Sequence, residues 1–156
     1  MKKIFALLLV CLFMHTQVLA AVLPAGSVVH VQPSRMVDAD KVKEGDQVEF
    51  QVVLPVKSNG EVLIKAGTIV TGQVTKKKNN FILGVPGHIE VGNFKIYQDD
   101  KDPITLRGNI LDEGDNRYWC HIGWFFLFPV LFVKGDDGKI PMNSNHILYT
   151  VDDARL

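Results

Sequence analysis

The amino-acid sequence predicts an all-β protein, built as a single small β-barrel or sandwich of about eight to ten short strands. Short segments alternate apolar and polar residues with the period of two that is typical of a half-buried strand. Turn-forming residues separate these segments at close spacing. No segment shows a persuasive amphipathic helical stripe, so the pattern favours an all-β architecture.

The first segment of the chain has the organisation of a cleavable secretory signal. Lys2 and Lys3 precede an uninterrupted apolar run from Ile4 to Met14. Three polar residues end this run, and the small or apolar residues Val18–Ala20 then precede the predicted cleavage site. An uncleaved anchor helix is the alternative, but the apolar run is short for a membrane span of about 20 residues. We therefore predict a signal peptide over 1–20 and one domain over 21–156, located in the periplasm or cell envelope.

Charge and cysteine content restrict the class of protein. The signal holds two of the 17 basic residues and none of the 17 acidic residues, so the mature chain is slightly acidic. This balance argues against nucleic-acid binding, which requires a basic surface to neutralise phosphates. Because Cys11 lies in the signal, Cys120 is the only cysteine of the mature chain. An intramolecular disulfide is therefore excluded.

A short motif recurs along the chain: an aliphatic residue, a variable residue, Ala, Gly, a hydroxyl residue and two aliphatic residues. It occurs around Gly26 and Gly67, with a weaker copy around Asn143, where Asn replaces Gly. Glycine adopts positive φ without strain, and asparagine is the next most tolerant residue. Each copy therefore predicts a turn in which one residue of positive φ directs the chain into a strand.

The clearest strand pattern is Gln47–Pro55, in which Val48, Phe50 and Val52 share one face. The Asn59–Gly60 dipeptide predicts a tight turn because both residues tolerate positive φ. The other predicted strands are Val28–Gln32, Glu61–Lys65, Thr68–Thr75, His88–Ile96, Ile104–Ile110 and Ile147–Val151.

The segment Tyr118–Val133 carries both tryptophans and four phenylalanines, and Trp124–Val133 is a run of ten apolar residues. This run is too short for a membrane-spanning helix and contains Pro129. Three roles remain open: a core strand or bend, an exposed patch that binds a partner, and insertion into a bilayer interface. The candidate residues for contact with a partner or membrane are Trp124, Phe125, Phe126, Leu127, Phe128 and Phe132.

No catalytic constellation is recognisable in the sequence. The histidines of the mature chain lack metal-ligand spacing, and no G-x-S-x-G nucleophile elbow is present. Cys120 and His121 are adjacent, but neighbouring residues of a strand point to opposite faces. We therefore predict no catalytic, metal-binding or cofactor-binding residues and no cofactor, while a site assembled from distant residues stays open.

The residues around the glycine turns resemble the barrel of TrbI-like proteins. The matching residues are Leu23–Ser27, Glu44–Asp46, Gly60, Ile64, Ala66–Thr68 and Gly72. TrbI-like proteins are outer core subunits of conjugation and type IV secretion machines, and a similar pattern occurs in small secreted bacterial envelope proteins. The resemblance implies a β-barrel and an envelope location, with no catalytic residues to carry over.

The sequence thus favours a non-enzymatic β-barrel module of the periplasm or cell envelope. Such a module would bind or scaffold a protein partner, in envelope or secretion-machine assembly. Two alternatives remain open: a periplasmic hydrolase with a site built from scattered residues, and a membrane-surface protein that docks through 124–133. The oligomeric state also stays open.

Overall fold

The computed structural model describes residues 22–80, 85–98, 101–115 and 135–155. Within these ranges all regular structure is β, as predicted, and nine of the thirteen strands contain three or more residues. The strands are β1 (Val22–Leu23), β2 (Val28–Pro33), β3 (Val37–Asp38), β4 (Gln47–Val52), β5 (Val56–Ser58), β6 (Glu61–Ile64), β7 (Ile69–Lys78), β8 (His88–Gln98), β9 (Lys101–Arg107), β10 (Ile110–Glu113), β11 (Lys139–Ile140), β12 (His146–Thr150) and β13 (Ala154–Arg155).

Six strands form a closed antiparallel barrel in the order β8–β7–β4–β2–β12–β9, and β9 pairs with β8 to complete the ring. Of the two architectures that the sequence left open, the structure is therefore the barrel. The long strand β8 closes the barrel because its second half pairs with β9. Its first half pairs with the additional strand β10, which lies outside the ring. Closure leaves the six barrel strands without a free edge.

Three barrel strands, β2, β4 and β7, each begin directly after a four-residue turn with glycine in third position. The φ angles are +79° at Gly26, +92° at Gly45 and +83° at Gly67. This φ is that of a type II turn, in which the third residue must be left-handed. The prediction for Gly26 and Gly67 is confirmed. Gly45 makes the same kind of turn. The recurring motif does not include it, because charged residues stand where the motif has Ala and a hydroxyl residue.

Each of these turns is tied to a neighbouring strand by two reciprocal backbone hydrogen bonds, an arrangement that we call a clasp. The glycine N–H donates to the carbonyl of a strand residue, and the N–H of that residue donates to the carbonyl of the residue after the glycine. The pairs are Gly26 with Thr150 (2.8 Å) and Thr150 with Ser27 (3.1 Å), Gly45 with Val74 (2.9 Å) and Val74 with Asp46 (2.9 Å), and Gly67 with Val52 (2.7 Å) and Val52 with Thr68 (2.9 Å). The clasps therefore fix where three barrel strands start against their neighbours.

The weaker copy of the motif also forms a turn, but without a left-handed residue. Ser144 N–H donates to the carbonyl of Pro141 (3.1 Å), and its Oγ donates to the same carbonyl (2.7 Å). The hydroxyls of Ser27 and Thr68 make the equivalent 2.7 Å bond in their own turns. Asn143 lies in the turn as predicted, but the expected positive φ is wrong. A turn with negative φ suffices at this position and avoids the steric cost that any side chain meets in the left-handed region.

The Asn59–Gly60 turn forms as predicted. Asn59 has a φ of +51° and Gly60 a φ of +86°, and the flanking residues Ser58 and Glu61 are paired across the β5–β6 hairpin. Positive φ at both central residues is the signature of a type I′ turn, whose twist matches that of the two strands.

The core is one continuous cluster of apolar side chains from the inward faces of the barrel strands. Its centre includes the edge-to-face contact of Phe50 with Phe94, whose ring centroids lie 5.4 Å apart at 79°. Phe94 fits because Gly72 stands opposite: a Cβ on Gly72 would lie 2.6 Å from the Phe94 ring. The buried face predicted for Val48, Phe50 and Val52 is confirmed.

A β-bulge in β8 changes the alternation that the sequence predicts. Strict alternation places Asn93 on the inward face with Ile89 and Val91. Instead, the residues that pair with β7 skip from Gly92 to Lys95, and Asn93 takes a φ of +52°. The extra residue in β8 turns Asn93 outward and brings the next aromatic residue into the core.

The segment predicted as one strand over Ile104–Ile110 is two strands. β9 ends at Arg107 and β10 begins at Ile110, because the two pair with different halves of β8. Gly108 between them allows a close approach of backbone to side chain, since a Cβ there would overlap the Leu148 side chain.

The φ angles generate a stability prediction. Gly67→Val should lower the free energy of unfolding by about 1–3 kcal/mol, because a β-branched residue is strained at positive φ. Space is not the cause, since a Cβ at this position meets no atom within 4 Å. Gly60→Asn should cost less, because asparagine tolerates the left-handed region. Equal shifts of the two melting temperatures would contradict the proposed role of φ.

Thr150 adds a side-chain bond to the first clasp and is almost fully buried, with 3% of its surface exposed. Its Oγ1 donates to the carbonyl of Pro24 (2.7 Å) and accepts the N–H of Ser27 (2.9 Å). One hydroxyl thus satisfies both a donor and an acceptor of the turn.

Thr150→Val should therefore lower the free energy of unfolding by about 1–3 kcal/mol, because it removes two hydrogen bonds of about 0.5–1.5 kcal/mol each. The Ser27 N–H keeps only its longer bond to the carbonyl of Pro24 (3.2 Å). Thr150→Ser is the matched control, since it keeps the hydroxyl. Chemical denaturation of both variants measures the difference. A serine variant as unstable as the valine variant would show that the methyl group, and not the hydrogen bonds, accounts for the loss.

Candidate functional site

The predicted contact residues for a partner or membrane lie in the segment 116–134, which is outside the described residues. These are Trp124, Phe125, Phe126, Leu127, Phe128 and Phe132. The structure does describe the residues on either side of this segment. It brings them together at one place on the barrel, which we call the neck and define by Asn80, Gly87, Gly114, Gly135 and Asp136.

Hydrogen bonds connect four separate parts of the chain at the neck. Gly114 N–H donates to the carbonyl of Gly87 (2.9 Å), and Gly87 N–H donates to the carbonyl of Asp136 (2.9 Å). The Asn80 side-chain Nδ2 donates to the carbonyl of Gly135 (2.8 Å). The chain before the apolar segment and the chain after it are therefore held side by side.

The neck glycines are required by space and not by φ. A Cβ on Gly114 would overlap the carbonyl oxygen of Asp136, and a Cβ on Gly135 would overlap the carbonyl of Val85. Neither glycine has positive φ. No pattern in the sequence marks these residues, because a glycine that permits close backbone approach needs no particular residues around it.

Three carboxyl groups lie beside the neck. The pKa of Asp137 is raised by burial, and further by its hydrogen bond to Asp40 and the negative charges of Asp40 and Asp38. Burial also acts to raise the pKa of Asp38, but the Asp40 N–H and the Lys41 ammonium outweigh it, so the net shift is downward. The Lys41 Nζ lies 3.4 Å from Asp38 Oδ2. Within the described ranges no group of three or more His, Cys, Asp or Glu side chains could hold a metal ion.

Ser144 and His146 are in contact, with 2.8 Å between Ser144 Oγ and His146 Nε2. A catalytic serine would donate its proton to the imidazole. Here the hydroxyl proton is directed to the carbonyl of Pro141, so Nε2–H is the donor to Oγ. The same hydroxyl cap occurs at Ser27 and Thr68, and its role in all three turns is structural.

An open groove of about 290 Å³ lies on the outer wall of the barrel, where β4, β7, β8 and β9 adjoin. The bulge at Asn93 shapes it, because Asn93, Lys95 and Tyr97 all point outward after the extra residue. Asn93 Nδ2 donates to Gln73 Oε1 (3.2 Å). The lining residues are Gln47, Thr71, Gly72, Gln73, Asn93, Lys95, Tyr97 and Thr105.

The turn residues named from the sequence, Gly26, Gly60, Gly67 and Asn143, lie in separate turns and contribute to neither the neck nor the groove. In the part of the chain that the structure describes, no helix is long and apolar enough to cross a membrane. No protein-family profile, curated protein or solved structure matches the chain. The site is therefore interpreted from its own geometry and chemistry.

The pKa of His146 gives a pH prediction. Burial lowers it below its usual value, and the negative charge of Asp112 partly opposes the shift. The unfolded chain therefore binds the proton more readily than the folded chain, and stability should fall as the pH drops from 7.5 through the range near 6.5 and below. Replacing the imidazole in His146→Asn should reduce this fall in melting temperature.

Asp112→Asn provides the opposite test. Removing the nearby negative charge should lower the pKa of His146 further and steepen the fall in melting temperature over the same pH range. The prediction would be wrong if the wild type and His146→Asn lost equal stability between pH 7.5 and pH 5.5.

Proposed function

We propose that the chain is a non-enzymatic β-barrel module of the periplasm or cell envelope, which binds a protein partner through the apolar run Trp124–Val133 of the segment 116–134. The observation that carries this proposal is the neck. Backbone hydrogen bonds hold both ends of the segment together on a rigid barrel, through Gly87, Gly114 and Asp136. A binding segment attached at two adjacent points of a rigid scaffold loses less conformational entropy on association than a free chain.

The composition of the segment supports the choice of partner. Trp124–Val133 contains ten apolar residues without a polar break, and five of them are aromatic: one tryptophan and four phenylalanines. Aromatic residues are enriched in the buried centres of protein interfaces, where they supply much of the binding energy. The described residues outside the segment form a continuous core of their own.

The envelope setting is supported by the signal-like first 20 residues and by the TrbI-like pattern. The residues that carry the resemblance, around Gly26, Gly45 and Gly67, are the clasps of the barrel. A part in envelope or secretion-machine assembly follows from that resemblance and belongs to the proposal. Membrane docking through the same segment is the competing outcome that the experiment below distinguishes.

Two pairs of substitutions test the proposal. In an extended segment, Phe126 and Phe128 lie on one face, and Phe125 and Leu127 lie on the other. The two double variants are Phe126→Ser with Phe128→Ser and Phe125→Ser with Leu127→Ser. We expect one of them to keep its melting temperature and lose association with the envelope fraction. The other should lose about 2–5 kcal/mol of stability, as buried large side chains do on truncation.

Ile147→Ser is the matched control, because Ile147 is apolar, 50% exposed and located on the barrel wall. It should change neither the melting temperature nor envelope association. Unfolding of both double variants would show that the run is buried within the monomer and would overturn the proposal. Flotation of the purified mature chain with liposomes, without any protein partner, would overturn it in favour of membrane docking.

A further inference from the structure

We propose that the groove on the outer wall binds a saccharide that carries a carboxylate, independently of the apolar segment. Saccharides present hydroxyl groups that donate and accept at every ring position, together with an apolar ring face. The groove offers matching groups. Three of its residues carry side-chain amides, Gln47, Gln73 and Asn93. Its hydroxyls belong to Thr71, Thr105 and Tyr97.

The polar groups of the groove are arranged in fixed rows by strand pairing. Thr71 pairs with Lys95, and Lys95 pairs with Thr105, so one row crosses β7, β8 and β9. Gln47 pairs with Gln73 in the neighbouring row. The Cβ atoms of such pairs lie about 5 Å apart, so neighbouring side chains can contact hydroxyl groups of the same sugar residue.

Two hydrogen bonds hold the Gln73 amide in one orientation. Its Nε2 donates to the carbonyl of Gly45 (3.3 Å), and its Oε1 accepts from Asn93 Nδ2 (3.2 Å). Asn93 therefore uses a donor for this contact, and no hydrogen bond among the described residues uses its Oδ1 acceptor. A ligand hydroxyl can donate to that oxygen without breaking an existing bond.

Tyr97 supplies the apolar surface. It is the most exposed large apolar or aromatic side chain among the described residues, at 61%, and it lines the groove. An exposed aromatic ring beside fixed polar groups allows the C–H face of a sugar to stack while its hydroxyls are hydrogen-bonded. The volume of about 290 Å³ is at the lower end of small-molecule sites, roughly 300–1,000 Å³, and the groove is open, so it suits one or two residues of a longer chain.

Lys95 selects the charge of the ligand. It is the only ionic side chain in the lining. Glu49 pairs with Thr71 in the same row, but it lies on β4 and is not among the lining residues. The two salt bridges among the described residues involve Lys41 and Lys76, so Lys95 takes part in neither. A carboxylate on the saccharide would complete a charge-assisted hydrogen bond at Lys95.

The shape of the groove is a consequence of the bulge in β8. Asn93 is one of two described non-glycine residues with positive φ, and the other lies in a hairpin turn. Such residues and β-bulges occur preferentially next to binding sites, where they redirect side chains. Here the bulge places Asn93, Lys95 and Tyr97 together on the outer face.

The test is a titration of the isotope-labelled mature chain with two probes of equal length, trigalacturonate and maltotriose. Trigalacturonate should bind and shift the side-chain amide resonances of Gln73 and Asn93. Tyr97→Ala should weaken its binding about tenfold, the loss expected when an aromatic stacking partner is removed. Lys95→Gln should reduce the preference for trigalacturonate over maltotriose by about three- to tenfold, as expected for a charge-assisted bond in a solvated site.

Tyr149→Ala is the matched control, because Tyr149 is a second exposed tyrosine of the outer wall, at 46%, and does not line the groove. It should leave binding unchanged. Absence of binding by both probes at millimolar concentration would overturn the site, as would equal weakening by the two alanine variants. Equal affinities for the two probes would overturn the assignment of a carboxylate-bearing ligand.

Discussion

The reciprocal pair of backbone hydrogen bonds at a left-handed glycine is the constraint on which the rest of the fold depends. It occurs at Gly26, Gly45 and Gly67, and in each case a barrel strand starts two residues after the glycine. Because each clasp also binds a residue of a neighbouring strand, it sets the register there, and a shift by one residue would turn the buried face outward. The fold has no disulfide among its described residues, so local geometry and apolar burial supply the specificity.

Glycine serves two further purposes in this molecule. Gly72 leaves the space that the Phe94 ring occupies against Phe50, so the core is filled across β4, β7 and β8. Gly114 and Gly135 allow backbones to meet at the neck. The bulge at Asn93 links the core to the surface, because the same extra residue directs Phe94 inward and the groove residues outward.

The neck and the groove lie on different parts of the structure and suit different ligands. The neck joins the two flanks of the segment 116–134 and consists mainly of backbone groups, with partly buried aspartates beside it. The positive charges of Lys41 and Lys139 stabilise the charged form of one of them, Asp38. The groove consists of solvated amides, hydroxyls and one ammonium group. In the two functions proposed above, the neck would hold the segment that binds a protein partner, and the groove would bind a saccharide. The barrel provides the rigid frame that keeps the two apart.

The sequence by itself determined the class of fold, most strands and the turns at Gly26, Gly60 and Gly67, because period-two alternation and glycine conformational preference are local properties. The clasp partners, the neck and the groove were decided by tertiary structure. Val52, Val74 and Thr150 have no local feature that marks them as partners of a distant glycine. The inversion of Asn93 could not be predicted, because a bulge arises from the pairing of two strands and the fit of Phe94 into the space above Gly72. Closure of the barrel likewise depends on β8 pairing with both β7 and β9, which no single segment of sequence specifies.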